Sequence, residues 1–552
     1  MKKRLIALTM VLLVFGQMSA EACTNLLISK GASKDGSTMI TYAADSHVLY
    51  GELYHWPAAD HPAGTMLQVR EWDTGKILGE IPQVAHTYNV TGNMNEHQLA
   101  IAETTFGGRK SLRDPKGIMD YGSLIYITLQ RAKTAQEAIT VMTDLVEKYG
   151  YYSSGESFSI ADKNEVWVLE MISKGTVEKG AVWVAQRIPD GYISAHANQA
   201  RITKINFNEP ENFRYSSDVV SFARAQKFFE GKDKHFDFSA AYAPLDFGAV
   251  RFCDARAWSI FNRVNPTFGK KYEAYAMGDL TKKRMPLYVK PDHQLTVKDA
   301  MELMRDHYEG TPMDMTKDVG AGPSACPYRW RPLTWESEGK TYFNERAIST
   351  QQTGFSFVAQ CRDWMPDALG GILWFGVDDT YSTCYTPIYS AATQVPSSFA
   401  NGNGDMLTYS DDAAFWVFNR VTNLAYMRYD EIIKDIRKKQ TTLEAKYIRT
   451  VKAIDVAAKE LYQENPADAI EFVTDFSVDN ANKMVEQWRE LEKYLWVKYL
   501  DGNIKVEENG KFKYNPSGLM PVSPKNKPYS EEYRKKIVQD TGDRLLEPAA
   551  VQ

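Results

Sequence analysis

The residues leading up to Cys23 constrain this chain more than any other segment. A basic stretch at 2–4 and an apolar run at 5–15 are followed by Ala-Glu-Ala at 20–22 and then by Cys23. This order of basic, apolar and small residues is typical of a secretory signal that is cut after the second alanine. We therefore expect residues 1–22 to be a signal peptide and the mature chain to be secreted or periplasmic, in a bacterium.

The apolar run at 5–15 is also the longest candidate for membrane contact, and it is too short to cross a bilayer. A spanning helix takes about 20 apolar residues. No membrane span is expected in the mature chain.

Cleavage after Ala22 would give Cys23 both a thiol and a free α-amine, and three interpretations follow. Cys23 could be lipidated, although Glu21 and Ala20 stand where a lipoprotein signal prefers a small residue and leucine. Its amine and thiol could act as a catalytic pair. It could also be a small buried hydrophobe near a terminus, the commonest state of a free cysteine.

The residues after Cys23 predict a β-hairpin. Apolar residues at 24–29 and 37–43 flank a glycine-rich turn at 30–36. A turn centred near Lys34 would place Asp45 opposite Cys23 on the neighbouring strand, so a carboxylate would lie beside the new N-terminus.

Further along, short strands occur in runs with helical stretches between them, which favours an α+β fold over a βαβ winding. A helix is predicted at 134–149, another at 295–308, and a long helical stretch from 413 to 461 that Pro466 interrupts before it resumes at 478–499. We predict a core at 23–410, a C-terminal helical region at 411–505 and a surface tail at 506–552.

Composition excludes several classes of protein. The 65 basic and 70 acidic residues form no long block of one charge, so nucleic acid is not expected as a partner. The sequence has no zinc motif and none of the usual nucleotide or serine-hydrolase loops. Asp378 and Asp379 are adjacent and are interpreted as a solvated turn, and His196 and His307 as structural histidines.

Cys23 is then the residue with distinctive chemistry. A thiol of ordinary pKa needs a base at neutral pH, and an α-amine with a pKa of about 7.7 to 8.0 can be that base. Such a pair needs a carboxylate near the amine, and donors such as Asn or Arg for the oxyanion.

Twelve short stretches resemble one family, the N-terminal-nucleophile cysteine dipeptidases of the dipeptidase A type, which are related to the secernins and to bile-salt and penicillin V amidases. They span about residues 23 to 400, in the family's order. The stretches are 23–25 (CTN), 34–40 (KDGSTMI), 44–46 (ADS), 95–97 (NEH), 161–162 (AD), 165–167 (EVW), 197–199 (ANQ), 254–258 (DARAW), 305–311 (RDHYEGT), 362–366 (RDWMP), 370–374 (GGILW) and 387–389 (PIY).

The resemblance implies a four-layer αββα core and hydrolysis of dipeptides through an acyl-thioester, with no metal or organic cofactor. Cys23 would be the nucleophile and, through its amine, the base. Asp45 would orient that amine, Asn198 would donate to the oxyanion, and Arg256 would orient the nucleophile, with nearby Arg251 as a rival. Each of these three residues also has a purely structural alternative role: Asp45 as the cap of a turn, Asn198 as a hydrogen-bond partner of loop backbone, and Arg256 as the ion-pair partner of a structural acid.

Two residues near the expected site need separate interpretation. Many relatives carry Arg or Lys where this chain has Tyr42, which leaves the preference for substrate charge and the pH optimum open. Glu103, in a strand-like run, is a weak candidate for binding the substrate's amine and is otherwise structural.

Dipeptides are therefore the expected substrates. An amidase of the same fold that acts on N-acyl amides, and a lipid-anchored binding protein without catalysis, remain the alternatives. A homo-oligomer is allowed by the sequence but not required by it. Without Cys23, the remaining four cysteines form an even set that could pair as disulfides, in an order that the sequence does not assign: Cys253, Cys326, Cys361 and Cys384.

Overall fold

The computed structural model describes residues 23–548. The predicted signal peptide, with its cleavage site, and the last four residues lie outside this range. Helices and strands are both abundant, which confirms the α+β class.

Most strands belong to two large antiparallel sheets, and the rest form small hairpins. In chain order the strands are β1 (Asn25–Ile28), β2 (Thr38–Asp45), β3 (His55–Trp56), β4 (Ala59–Asp60), β5 (Met66–Arg70), β6 (Ile77–Pro82), β7 (His86–Thr87), β8 (Val90–Thr91), β9 (Met94–Asn95), β10 (Ala100–Gly107), β11 (Gly155–Ala161), β12 (Val166–Ser173), β13 (Ala181–Arg187), β14 (Ile193–His196), β15 (Phe213–Tyr215), β16 (Tyr288–Val289), β17 (Thr334–Ser337), β18 (Lys340–Phe343), β19 (Thr353–Cys361), β20 (Gly371–Val377), β21 (Thr386–Tyr389), β22 (Glu507–Glu508) and β23 (Lys511–Phe512).

The seven-stranded sheet has the order β16-β14-β1-β2-β19-β20-β21, and the eight-stranded sheet has the order β15-β13-β12-β11-β10-β9-β8-β3. The first strand of the described chain is therefore near the centre of its sheet. The two sheets pack against each other, with β2 lying on β10 and β11.

Alternation along β12 shows how the sequence builds this stack. Val166 and Val168 are buried in the core cluster that includes β1 and β2, whereas Trp167 and Leu169 are buried in a second cluster with the first two helices. Because successive side chains point to opposite faces of a sheet, a strand that is apolar at every position is covered on both sides.

Helices cover the outer faces of the two sheets. They are α1 (Tyr121–Leu129), α2 (Ala135–Tyr149), α3 (Val219–Ala225), α4 (Phe238–Tyr242), α5 (Ala255–Val264), α6 (Pro266–Ala276), α7 (Val297–Leu303), α8 (Asp367–Gly370), α9 (Ala414–Met427), α10 (Tyr429–Glu464), α11 (Pro466–Tyr499) and α12 (Glu531–Thr541). A π-helical turn, Ala249–Asp254, leads directly into α5.

Helices α1 and α2 contact the eight-stranded sheet, and α5, α7, α9, α10 and α11 contact the seven-stranded sheet. Buried ion pairs tie α10 to the segments that follow α7 and β19: Arg305 Nη2 lies 2.5 Å from Glu444 Oε1, and Arg362 Nη1 lies 2.5 Å from Asp455 Oδ2. None of the helices between residues 23 and 548 is long and apolar enough to cross a membrane.

The predicted hairpin is present, but its register differs from the prediction by one residue. Thr24 faces Ala43 and Leu27 faces Ile40, so the position across from Cys23 belongs to Ala44. The short 3-10 turn Lys30–Ala32 shifts the centre of the hairpin. Asp45 lies one residue further on, across from Thr353 of β19.

Three other predictions about particular segments are wrong at least in part. The predicted interruption near Pro466 is present, since α10 ends at Glu464, but the stretch before it also breaks at Arg428. The second part begins at Pro466 itself and not at 478, because proline is tolerated in the first turn of a helix. The helix predicted at 295–308 ends at Leu303. Asp378 and Asp379 are buried and not solvated, since they accept hydrogen bonds from Asn419 and Ser349.

The cysteines do not pair. None of the five cysteines between residues 23 and 548 forms a disulfide, including Cys253, Cys326, Cys361 and Cys384. Burial raises the pKa of Cys361 to about 12, so this thiol stays protonated inside the sheet.

Candidate active site

Cys23 lines a cleft of ≈ 370 Å³ that is also bordered by β2, β10 and α1. The cleft walls are largely aromatic, from Tyr42, Tyr54, Trp72, Tyr121 and Tyr126, and its charged lining residues are all acidic: Asp45, Glu52, Asp73 and Glu103. Asp45 and Cys23 therefore open onto the same space.

The thiol of Cys23 faces Glu103 and Tyr42. Cys23 Sγ lies 3.6 Å from Glu103 Oε1 and 3.7 Å from the Tyr42 hydroxyl, and that hydroxyl donates to Glu103 Oε1. The buried carboxyl of Glu156, on β11, also hydrogen-bonds to the Glu103 side chain. The structure thus places the weakly supported residue of the sequence analysis directly beside the thiol.

Asn25 explains how two different sheets hold Cys23 and Glu103 together. It lies on β1, two residues after Cys23. With its side-chain amide oriented to satisfy both neighbours, it accepts from the Glu103 N–H at 3.2 Å and donates to the Glu103 carbonyl at 3.1 Å. This side chain bridges the two sheets as a backbone pair would.

Burial controls the ionisation of these groups. It raises the pKa of Glu103, since a carboxylate loses its hydration in the packed interior. Burial, together with the neighbouring Cys23 and Glu103, holds the pKa of Tyr42 well above its ordinary value, so its hydroxyl remains a donor. A cation that enters the cleft would favour the ionised form of Glu103.

On the opposite side of Cys23, Arg256 holds the backbone. It is on the first turn of α5 and is fully buried. Its Nη1 donates to the Cys23 carbonyl at 2.6 Å and to Thr24 Oγ1 at 2.8 Å, and its Nη2 donates to Asn198 Oδ1 at 2.8 Å. The planar fork of a guanidinium suits this set of acceptors.

Asn198 follows β14 and adopts a left-handed backbone conformation, with φ of 57°. One hydrogen of its amide nitrogen is donated to the Thr105 carbonyl at 2.8 Å, while its oxygen receives Arg256. A side-chain amide nitrogen is a hydrogen-bond donor of the kind that an oxyanion requires.

Asp45 has partners that the sequence does not reveal. It accepts from Arg346 Nη2 and from Thr353 Oγ1, both at 2.6 Å. Burial raises the pKa of Asp45, and Arg346 and Thr353 oppose that effect. Arg346 is 301 positions away along the chain and was not identified, since no local motif marks it. The rival Arg251 lies elsewhere, paired with Glu345.

The two histidines noted in the sequence lie outside this arrangement. His196 is buried between Thr104 and Ser159, and burial lowers its pKa to about 3, so it is neutral. His307 contacts Glu309. Within residues 23–548, no three His, Cys, Asp or Glu side chains are grouped so that they could hold a metal ion.

Comparison with known proteins shows similarity to peptidases. The family model described as peptidase family C69 matches residues 52–442, more than half of the chain. A probable dipeptidase of Latilactobacillus sakei is 25% identical over 479 residues, covering 83% of this chain and 91% of that protein. A probable dipeptidase of Salmonella dublin is 25% identical over 409 residues (70% and 84%), and a probable dipeptidase B of Streptococcus pyogenes serotype M1 is 23% identical over 519 residues (90% and 97%).

Proposed function

We propose that this chain, which belongs to peptidase family C69, is a secreted cysteine dipeptidase whose nucleophile is the thiol of Cys23, exposed as the N-terminal residue when the signal peptide is removed. The names of its relatives support the dipeptidase activity, and the chemistry of an N-terminal cysteine supports the mechanism.

In the proposed reaction the α-amine of Cys23 takes the thiol proton, and the thiolate attacks the scissile carbonyl carbon. The tetrahedral intermediate collapses, the C–N bond breaks, and the α-ammonium of Cys23 returns its proton to the departing amino acid. Water then attacks the thioester carbonyl with the amine again as base, so the first amino acid is released and the thiol is restored.

The position of Glu103 is the observation that carries the choice of a dipeptide. The amine of a dipeptide is separated from the scissile carbonyl carbon by one carbon atom. When that carbonyl reaches Cys23 Sγ, the ammonium comes beside the Glu103 carboxyl group, whose Oε1 lies 3.6 Å from the same sulfur. An N-acyl amide would bring a neutral group there, so the attraction between the substrate's ammonium and Glu103 would be lost.

The other roles follow from the same arrangement. Asp45, which forms an ion pair with Arg346, would orient the α-amine of Cys23. Arg256 would hold the Cys23 backbone, and the side-chain amide of Asn198 would meet the oxyanion. The two packed sheets with helices on their outer faces support a four-layer αββα core of the N-terminal-nucleophile type.

A hydrolysis panel tests this function. Free dipeptides are compared with the same dipeptides acetylated at the amine and with glycine- and taurine-conjugated acyl amides. We expect turnover of the free dipeptides. For the acetylated dipeptides we expect kcat/KM to be lower by a factor of about ten or more. Faster turnover of the acyl conjugates would favour the amidase, and no turnover of any dipeptide would refute the proposal.

The intact mass of the exported protein tests the N-terminus. A chain that begins at Cys23 with an unmodified amine agrees with the proposal. An acylated Cys23 has no basic amine and would support the lipid-anchored binding protein instead.

A further inference from the structure

Glu156 is a second buried acid beside Glu103. The two residues lie on neighbouring strands of the eight-stranded sheet, where Glu103 faces Phe158 and Thr105 faces Glu156. Residues two positions apart on a strand share a face, so Glu103 and Glu156 are diagonal neighbours at a separation that long side chains span. Both side chains are buried, and they are hydrogen-bonded to each other.

A hydrogen bond between these two side chains requires a proton on one of them. A carboxylate has only acceptors, whereas a carboxylic acid has one O–H donor. Two carboxylates that share a buried site also repel each other, which favours retention of one proton between them. The arrangement of Glu103 and Glu156 is therefore that of an acid and a carboxylate.

The surroundings of the pair favour the same state. The lining of the cleft within the described chain contains no Lys, Arg or His that could neutralise a second negative charge. The titratable groups that act on the pair are a thiol, an acid and phenols, namely Cys23, Tyr42 of β2, Asp73 of the turn between β5 and β6, Tyr126 of α1, and Tyr151, which precedes β11.

Thr105 fixes the position of Glu156. Its Oγ1 donates to Glu156 Oε2 at 3.1 Å, and its carbonyl accepts the side-chain amide of Asn198 at 2.8 Å. Thr105 belongs to β10, the strand that also carries Glu103. The second acid is therefore held in place by the strand of the first.

The hydrogen bond from Glu156 counteracts the burial of Glu103. Burial raises the pKa of Glu103, whereas the hydrogen bonds with Glu156 and Tyr42 lower it. A buried carboxylate that accepts hydrogen bonds keeps its charge at a lower cost than one without donors. When a substrate's ammonium binds, the negative charge of the pair lies on Glu103 and the proton on Glu156.

We infer that Glu156 is a positioning residue of the proposed reaction: as a protonated acid it hydrogen-bonds to Glu103 and keeps Glu103 ionised for the substrate's amine. The inference rests on the proposed function. It adds a residue that does not line the cleft and acts through Glu103.

Two replacements of Glu156 separate its proton from its bulk. Glu156→Gln keeps the shape and has a permanent N–H donor, and Glu156→Met keeps the length and removes every donor. For Glu156→Met we expect KM for free dipeptides to be about tenfold above that of the wild type at pH 6 and close to it at pH 8, because Glu103 without its donor stays protonated to a higher pH. For Glu156→Gln the ratio to the wild type should stay near one at both pH values.

Glu165→Gln is the matched control for charge. Glu165 lies between β11 and β12 of the same sheet, accepts from Gln136, pairs with Arg187 and does not line the cleft. Its removal should leave KM near that of the wild type at both pH values. Equal KM ratios for Glu156→Met at pH 6 and pH 8 would overturn the inference. So would an equal rise in KM for acetylated dipeptides, which have no ammonium.

Infrared difference spectroscopy detects the shared proton without turnover, and it needs only the isosteric Glu156→Gln variant if Glu156→Met does not fold. At pH 7 the spectrum of the wild type minus that of Glu156→Gln should contain the C=O stretch of a carboxylic acid. A difference with carboxylate bands alone would refute the inference, since Glu156 would then hold no proton. If the wild type hydrolyses no dipeptide, the proposed function and the role of Glu156 fail together, whereas the infrared band still shows whether the pair holds a proton.

Discussion

The two sides of Cys23 differ in charge and in what they contact. The thiol side opens onto the cleft, where the nearest groups are the Glu103 carboxylate and the Tyr42 hydroxyl. The carbonyl side is closed and faces the guanidinium of Arg256, which is itself bonded to Asn198. One side is acidic and accessible, and the other is cationic and buried.

This difference separates two tasks that a dipeptidase has to combine. A positively charged substrate amine needs a carboxylate, whereas the negative charge that develops on the scissile carbonyl needs donors. Placed together, the acid and the arginine would neutralise each other. On opposite sides of one residue, each remains available in a low-dielectric interior where its effect is strong.

The largest expected effect on activity comes from replacing Cys23, which lies between the two sides. Cys23→Ala should lower kcat by at least ~10³-fold, because no other thiol opens onto the described cleft. Its thermal midpoint should stay near that of the wild type, since only one sulfur is lost. Cys326→Ala, at a free cysteine outside the cleft, is the control and should retain activity. A Cys23→Ala protein that keeps a tenth of the activity would place the nucleophile elsewhere.

The next effect concerns the buried, cationic side. Arg256→Lys keeps the charge and loses the planar fork, so a lysine cannot reach the Cys23 carbonyl, Thr24 and Asn198 together. We expect kcat to fall about 10²-fold, as for the loss of an oxyanion donor, with a smaller change in KM.

Arg251→Lys is the matched comparison for Arg256→Lys. Arg251 lies five positions earlier, pairs with Glu345 and does not line the cleft. Steady-state rates near those of the wild type are expected for it. An equal fall in kcat in Arg251→Lys and Arg256→Lys would show that Arg256 acts only by stabilising the segment that both residues share.

The sequence predicts the parts of this site that depend on local pattern. The hairpin that carries Cys23 follows from two strand-like runs around a glycine-rich turn, and its register differs by one residue from the one expected for a turn centred near Lys34. The buried Asp378 is a harder case. Adjacent acidic residues are usually found in a solvated turn. Asp378 is buried instead because it packs against α9, where Asn419 donates a hydrogen bond to it.

Contacts between distant segments could not be predicted from the sequence. Glu103 reaches Cys23 because two separate sheets pack face to face, and the pairing of Asp45 with Arg346 joins residues 301 positions apart. No periodicity or spacing encodes such a contact. For Asn198 and Arg256 only the family resemblance pointed to the site, and the structure adds that they are bonded to each other.

A third variant acts on the acidic side. Glu103→Gln retains the shape of the side chain and removes the charge that would bind the substrate's amine. We expect KM for free dipeptides to rise about tenfold, with little change for the acetylated dipeptides, which lack that ammonium. If kcat/KM falls equally for the free and the acetylated dipeptides, Glu103 positions the thiol and does not bind the amine.

The smallest effect is a difference in the sign of pH dependence between the two sides, measured as the thermal midpoint from pH 4 to 8. The pKa of Glu103 is raised by burial, so the folded state binds more protons than the unfolded state above about pH 4.3, and ionisation destabilises the fold as the pH rises. Glu103→Gln should therefore raise the midpoint by about 2–4 °C at pH 8 and by less at pH 4.

Asp254, two residues before Arg256, should show the opposite sign. Burial opposes its ionisation, but Arg284 and Arg201 overcome that effect and hold the pKa of Asp254 below its ordinary value. Its stabilisation is complete above the unfolded pKa and is lost as the pH falls through the folded one. Asp254→Asn should lower the midpoint most at neutral pH and progressively less towards acid. If both variants shift in the same direction with pH, the two sides of Cys23 do not differ electrostatically as the structure indicates.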